Sequence, residues 1–189
     1  MVKLVNWINK IIDDKEGLES IEESEERIIK AYKELLSGYN VDPSKILSIT
    51  KKVKNHEGVI AQTDINFYSI CPHHFIPFFG NVSLAYEPGE IIIGLGKLKR
   101  LVDAYSRRLI IQEDIVKKIA EELMSSGKAK GAFVMSKAKH LCICSRGPND
   151  DTTETITTYA LGTLTDVNKQ KKTLLLFEDE KNKRKKDSS

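Results

Sequence analysis

From Gly58 onward the apolar residues of this chain stop recurring every three or four positions and begin to alternate, and that change of period limits the folds open to it. Before it, Leu4, Trp7, Ile8, Ile11 and Ile12 share one face of a first predicted helix. Ser24 is placed to N-cap a second, with Glu25 and Glu26 at the positive end of its dipole, Ile28, Ala31, Tyr32, Leu35 and Leu36 as its stripe, and Gly38 as its stop. Tyr39 to Lys54 reads as a connection, with a turn at Asp42-Pro43 and lysines at 51, 52 and 54.

After the change, Val59, Ala61, Thr63, Ile65 and Phe67 alternate along one strand and Phe78 to Tyr86 form another. The turn Glu87-Pro88-Gly89-Glu90 predicts a hairpin into Ile91-Ile92-Ile93. Two helical stripes follow, Leu98, Leu101, Val102 and Tyr105, then Ile115, Ile119, Ala120 and Leu123, ending at Ser125-Ser126-Gly127. Strands are predicted at Gly131 to Ser136, Lys139 to Ser145 and Thr152 to Thr163. This order defines an α+β fold with segregated antiparallel strands. Lys171 to Phe177 fits a last strand or a short helix, and Glu178 to Ser189 is a charge run predicted to stay solvated and mobile. The domain reading is an N-terminal helical arm over residues 1–54, a core over 55–168 and a charged tail over 169–189.

At 189 residues the chain suits one domain. Its 30 Lys and Arg face 27 Asp and Glu, and interleaved acids dilute every basic run, so nucleic acid is not an expected partner. Gly94-Leu95-Gly96-Lys97 superficially suggests a phosphate loop but lacks its spacing and the Ser or Thr after Lys. No apolar run approaches the ~18 residues of a membrane span, and Met1 to Trp7 lacks a signal-peptide pattern. The expectation is a cytoplasmic protein with no membrane partner. Three Cys without an export signal argue against a disulfide framework and leave metal ligation, catalysis or burial as uses for the thiols.

All three Cys and three of the four His fall in two short segments, Cys71-Pro72-His73-His74 and His140-Leu141-Cys142-Ile143-Cys144-Ser145-Arg146. If the second is a strand, His140, Cys142, Cys144 and Arg146 project from one face. Cys and His three apart, with a distant Cys, offer sulfur and imidazole ligands suited to zinc. Simple burial of the thiols as small hydrophobes is the plainer alternative. Cys144 as a fourth ligand would close the site into a structural zinc. Two cysteines on one strand lie almost 7 Å apart by strand rise, however, and converge poorly on one ion. Cys144 is therefore read as a spare thiol.

The segments Ser69 to Phe78, Ile93 to Arg100, Tyr105 to Glu113 and His140 to Gly147 resemble the signature blocks of the GTP cyclohydrolase I family, in the family's order and approximate spacing. The likeness runs from about Glu23 through the Thr155 to Gly162 block. It implies the tunnelling fold: an antiparallel sheet with two helices on one face plus the N-terminal helical arm, assembled into a ring-shaped homo-oligomer, typically a homodecamer with active sites between subunits. It also implies conversion of GTP to 7,8-dihydroneopterin triphosphate and formate, the hydrolytic entry to folate, tetrahydrobiopterin and related one-carbon and pterin metabolism.

Carried over by residue, Cys71, His74 and Cys142 match the zinc ligands, making residues 55–168 a zinc-dependent catalytic core. Zinc lowers the pKa of water towards ~7, which suits attack at guanine C8. His73 and His140 match the family's proton-transferring histidines. Glu113 matches the guanine reader, accepting from N1–H and the 2-amino group, and Gln112 is expected to line the base pocket. Lys97, Arg100 and Arg146, with Arg27 and Lys30 from the arm, match cations for the triphosphate, and Lys99 is an extra cation. Pro72 stands where the family usually has Glu, and Gly96 where it has Ser. These departures motivate a second reading, a catalytically silent ring protein with structural zinc that binds nucleotide or a regulatory partner.

Overall fold

The computed structural model describes residue 11 and residues 15–47, 51–52 and 56–187. The first predicted helix lies outside the described residues except for Ile11, a turn residue 66% exposed. Helix α1 spans Lys15–Leu35 without a break, so Ser24 sits inside it rather than capping it. The six Glu residues from Glu16 to Glu26, with Lys15 and Leu18, sum to a helical preference that Ser20 and Ser24 do not interrupt. The helix ends at Leu35, and Gly38 lies beyond it in a short 3₁₀ turn, Ser37–Asn40. A Cβ on Gly38 would come within 2.6 Å of the Ala104 carbonyl, so glycine permits this close approach of the arm to the core. Arg108 fastens the same contact by donating to the carbonyls of Ala104 at 2.7 Å and Gly38 at 2.9 Å, with its guanidinium over the rings of Tyr39 and Tyr105.

The connection contains α2, Pro43–Ile46, N-capped by Asp42, and a two-residue strand β1, Lys51–Lys52. Strand β2, Ile60–Ile70, pairs antiparallel with β3, Pro77–Glu87. The brief β4, Ile91–Ile92, pairs with β1 and forms no hairpin with β3. The reason is topological: the main sheet runs β2-β3-β5-β6, so both edges of β3 are already taken. Helices α3, Leu95–Ser106, and α4, Gln112–Ser125, follow as their stripes predicted.

The two strands expected between Gly131 and Ser145 are one strand, β5, Gly131–His140, followed by a single helical turn α5, Leu141–Cys144. Pairing explains the stop. His140 lies opposite Phe78, next to the first residue of β3, so the ladder has no partner for a longer strand. Strand β6, Thr155–Gly162, closes the sheet's other edge. The last segment is helix α6, Val167–Asp187: of the two readings for Lys171 to Phe177 the helix holds and the strand does not, and the helix runs on through the charge run.

Even-numbered residues of β3 and β5, among them Phe78, Val82, Leu84, Tyr86, Ala132, Val134 and Ala138, pack beneath α3 and α4 through Leu98, Leu101, Val102, Ile115, Val116, Ile119 and Leu123. The opposite parity faces the other way, where Ala85 and Phe133 meet Leu164 and Phe177. In β2 the alternation does not hold throughout. A β-bulge between Gln62 and Ile65, with Asp64 at φ 55°, inserts a residue, so Val59 packs on the second face while Ile65 and Phe67 pack on the first.

Candidate metal and active site

Three strand ends and one helix start meet at one rim of the sheet. Cys71 follows β2 directly and opens a tight loop in which the Cys71 N–H donates to the Ile76 carbonyl at 2.9 Å and the Phe75 N–H to the Cys71 carbonyl at 2.9 Å. Phe75 takes a left-handed conformation, φ 59°, to close it. The arm braces this loop: Tyr32 of α1 stacks on Phe75 with ring centroids 5.1 Å apart. From the other side the α3–α4 link is laced to the end of β2 through Ile70 N–H to Arg108 carbonyl at 3.3 Å and Ile110 N–H to Ile70 carbonyl at 3.2 Å. That lacing carries Gln112 and Glu113, the first residues of α4, to the metal-type loop.

Cys142 arrives on the helical turn after β5. The donor atoms of Cys71, His74 and Cys142 lie within 4.8 Å of one another, with Cys71 Sγ 3.9 Å from His74 Nδ1. Tetrahedral bonds of ~2.3 Å to sulfur and ~2.0–2.1 Å to nitrogen place donors roughly 3.5–3.8 Å apart, so the trio fits one zinc-sized ion with small adjustment. Both thiols are buried. Burial pushes the Cys142 thiol's pKa up, and the neighbouring Cys71 adds to this, while the charge of Arg146 opposes it. A divalent cation would relieve that repulsion.

The stripe expected from a strand does not form, because residues 141–144 are helical and Cys142 and Cys144 point away from each other around the turn. Cys144 is half-buried and stands outside the trio. His73 is exposed, with Nδ1 3.8 Å from Cys71 Sγ.

A cavity of about 340 Å³ opens over the trio, and its lining includes His73, Glu113, His140, Phe78 and Thr155. His140 stacks flat on Phe78, centroids 4.5 Å apart and planes 5° off parallel. Burial lowers the pKa of His140, and the Glu113 carboxylate offsets this in part. Gln112 also borders the cavity; it is 1% exposed, and its amide is engaged by Ser136, Thr155 and His140.

None of Lys97, Arg100, Arg146, Arg27 and Lys30 lines this cavity. Arg146 is close enough for its charge to act on Cys142. Lys97 is half-buried and Arg100 exposed on α3, and Arg27 and Lys30 are exposed on α1. Lys99 is ion-paired with Asp103. Gly96 has open space where a side chain would stand, and Pro72 is exposed. Sequence reasoning missed Phe78, Tyr32 and Phe75. Phe78 and His140 are cross-strand partners, a relation that only the register reveals.

An α+β architecture with two thiols and an imidazole converging in a cavity beside a carboxylate and two further histidines defines a candidate metal site with the polar groups of an active site. The chain matches the GTP cyclohydrolase I family model over residues 1–178. It is 37% identical over 167 residues to GTP cyclohydrolase 1 of Fusobacterium nucleatum, covering 88% of this chain and 89% of that one. To GTP cyclohydrolase 1 of Campylobacter lari it is 37% identical over 163 residues, covering 86% of each. To that of Leptospira biflexa it is 36% identical over 162 residues, covering 86% and 88%. The chain belongs to the GTP cyclohydrolase I family and is an enzyme of that type.

Proposed function

We propose that this chain hydrolyses GTP to 7,8-dihydroneopterin triphosphate and formate with a zinc ion held by Cys71, His74 and Cys142, at the entry to folate and related pterin synthesis. The observation that carries the reading is the convergence of those three donors in one cavity with His73, His140 and Glu113. Zinc, when bound, supplies Lewis acidity that makes water a nucleophile near neutral pH. Glu113 accepts from guanine N1–H and the 2-amino group, an arrangement adenine cannot reproduce. His73 and His140 move protons to and from the purine and ribose as the imidazole ring opens, a task suited to side chains that change charge near neutrality. Phe78 keeps the His140 ring in one plane.

The triphosphate needs cations, and among the described residues none lines the single chain's cavity. In this reading Lys97, Arg100, Arg27 and Lys30 reach the site from neighbouring copies in a ring-shaped homo-oligomer, and Arg146 serves its own chain's site. Residues 55–168 then form the catalytic core and 1–54 the arm. Incubation of the zinc-loaded protein with GTP is expected to release formate and, after oxidation, a fluorescent pterin. Neither product from fully zinc-loaded protein would refute the reading and favour the silent ring protein.

A further inference from the structure

The buried amide of Gln112 has more to do than fill space. Its Nε2 lies 3.3 Å from the Ser136 carbonyl, 2.9 Å from Ser136 Oγ and 3.0 Å from the Thr155 carbonyl. Carbonyl oxygens only accept, so the NH₂ end of the amide must face β5 and β6, and a flipped amide would set oxygen against two carbonyl oxygens. Ser136 is wholly buried and its hydroxyl is also bonded to Thr157 Oγ1 at 2.7 Å, which holds the acceptor side of this cradle in place.

With the amide so fixed, Gln112 Oε1 is the atom 2.8 Å from His140 Nε2. An amide oxygen only accepts, so the imidazole must be the donor. We propose that Gln112 is a positioning residue that keeps a proton on His140 Nε2 and leaves Nδ1 as the nitrogen that exchanges protons with the substrate. The conclusion holds for the neutral ring and the cation alike, since both carry the Nε2 proton. Among the described residues, no hydrogen bond occupies His140 Nδ1. A proton delivered through His140 therefore leaves from Nδ1, its N–H bond pair staying on nitrogen, and is replaced at Nδ1 from solvent or substrate. The inference rests on the proposed GTP reading for the identity of the substrate, not for the tautomer.

The test is solid-state ¹⁵N NMR of the full-length, zinc-loaded protein labelled at histidine, with the His140 signals assigned by their loss in His140→Asn. A proton on Nε2 is expected, and a neutral ring protonated only at Nδ1 would overturn the proposal in the wild-type sequence, without Gln112 having to be changed. In Gln112→Met the hydrogen-bonded Nε2–H signal should shift. The same variant should lose roughly tenfold or more in kcat, a fraction of what a proton-transfer group contributes. Its KM for GTP and its preference for GTP over inosine triphosphate should hold. A raised KM with relaxed base preference would make Gln112 a base reader and refute the positioning role. If the wild type fails to turn over GTP, the function reading falls while the NMR result still decides the tautomer.

Discussion

Cys142 and Cys144 are two positions apart and identical in chemistry, and the backbone between them decides their fates. A strand would have put both on one face. The helical turn Leu141–Cys144 instead brings Cys142 to Cys71 and His74 and leaves Cys144 half-buried outside the group. Metal content of the purified variants checks this. Cys142→Ser should lose nearly all bound zinc, since a hydroxyl is a far poorer ligand than a thiolate, whereas Cys144→Ser should retain a full equivalent per chain. Equal loss in both would mean a closed four-ligand site. The candidate ligand trio was legible because Cys and His cluster in two short segments and because the family likeness points to them, and the three donors do converge. The surroundings of His140 were not. Its partners Phe78 and Gln112 are 62 and 28 positions away in sequence, as their numbers show, and neither spacing carries a periodic signal. Gln112, adjacent to the expected guanine reader, does border the cavity as expected, but nothing in the local sequence shows that its amide is engaged by Ser136, Thr155 and His140.

At the scale of elements, period gave the helices α3 and α4 almost to their ends, because each has one buried stripe and a clear stop. Strand pairing was harder to read. The hairpin expected from Glu87-Pro88-Gly89-Glu90 fails because β3 is an interior strand, and position in a sheet is not written in local sequence. The bulge at Gln62/Ile65 likewise hides in a run whose alternation looks unbroken. Helix α6 is the largest departure. A strand or a short helix was open for Lys171 to Phe177 and a solvated run for Glu178 onward, and one long helix spans both; Phe177 is 4% exposed and stacks against Phe133 with centroids 6.1 Å apart, sealing the sheet face opposite α3 and α4. Two or three apolar residues at helical spacing are enough to dock a charged helix when a sheet offers the complementary face. Phe177→Ala should destabilise the protein by about 3 kcal/mol, the low end for a buried Phe, while Leu175→Ala, at a position 58% exposed, should cost under ~0.5 kcal/mol. Thermal or urea unfolding of the two variants separates them, and equal small effects would show that α6 contributes nothing to the core.

For the whole molecule the question is where the cations come from. The cavity of one chain holds a carboxylate, three histidines and two thiols, while Lys97, Arg100, Arg27 and Lys30 stand elsewhere on its surface. A substrate carrying a triphosphate cannot be held tightly by that cavity alone, since its charge would be left without partners. The sheet also ends in two strands, β2 and β6, each paired on one side only among the described residues. Open edges of this length are the natural place for copies to join. If copies close into a ring, one chain's exposed cations can complete the next chain's site, and this can be tested by complementation. Cys142→Ser removes a proposed metal ligand, and Arg100→Ala removes a cation, so each variant alone should turn over GTP poorly. Dissociated, mixed in equal amounts and reassembled, they should recover about a quarter of wild-type activity, because random assortment gives each site its metal ligands from an intact chain half the time and its Arg100 from an intact chain half the time. No recovery on mixing, with native mass spectrometry confirming that the two variants share assemblies, would place Arg100 and the metal in the same chain's site.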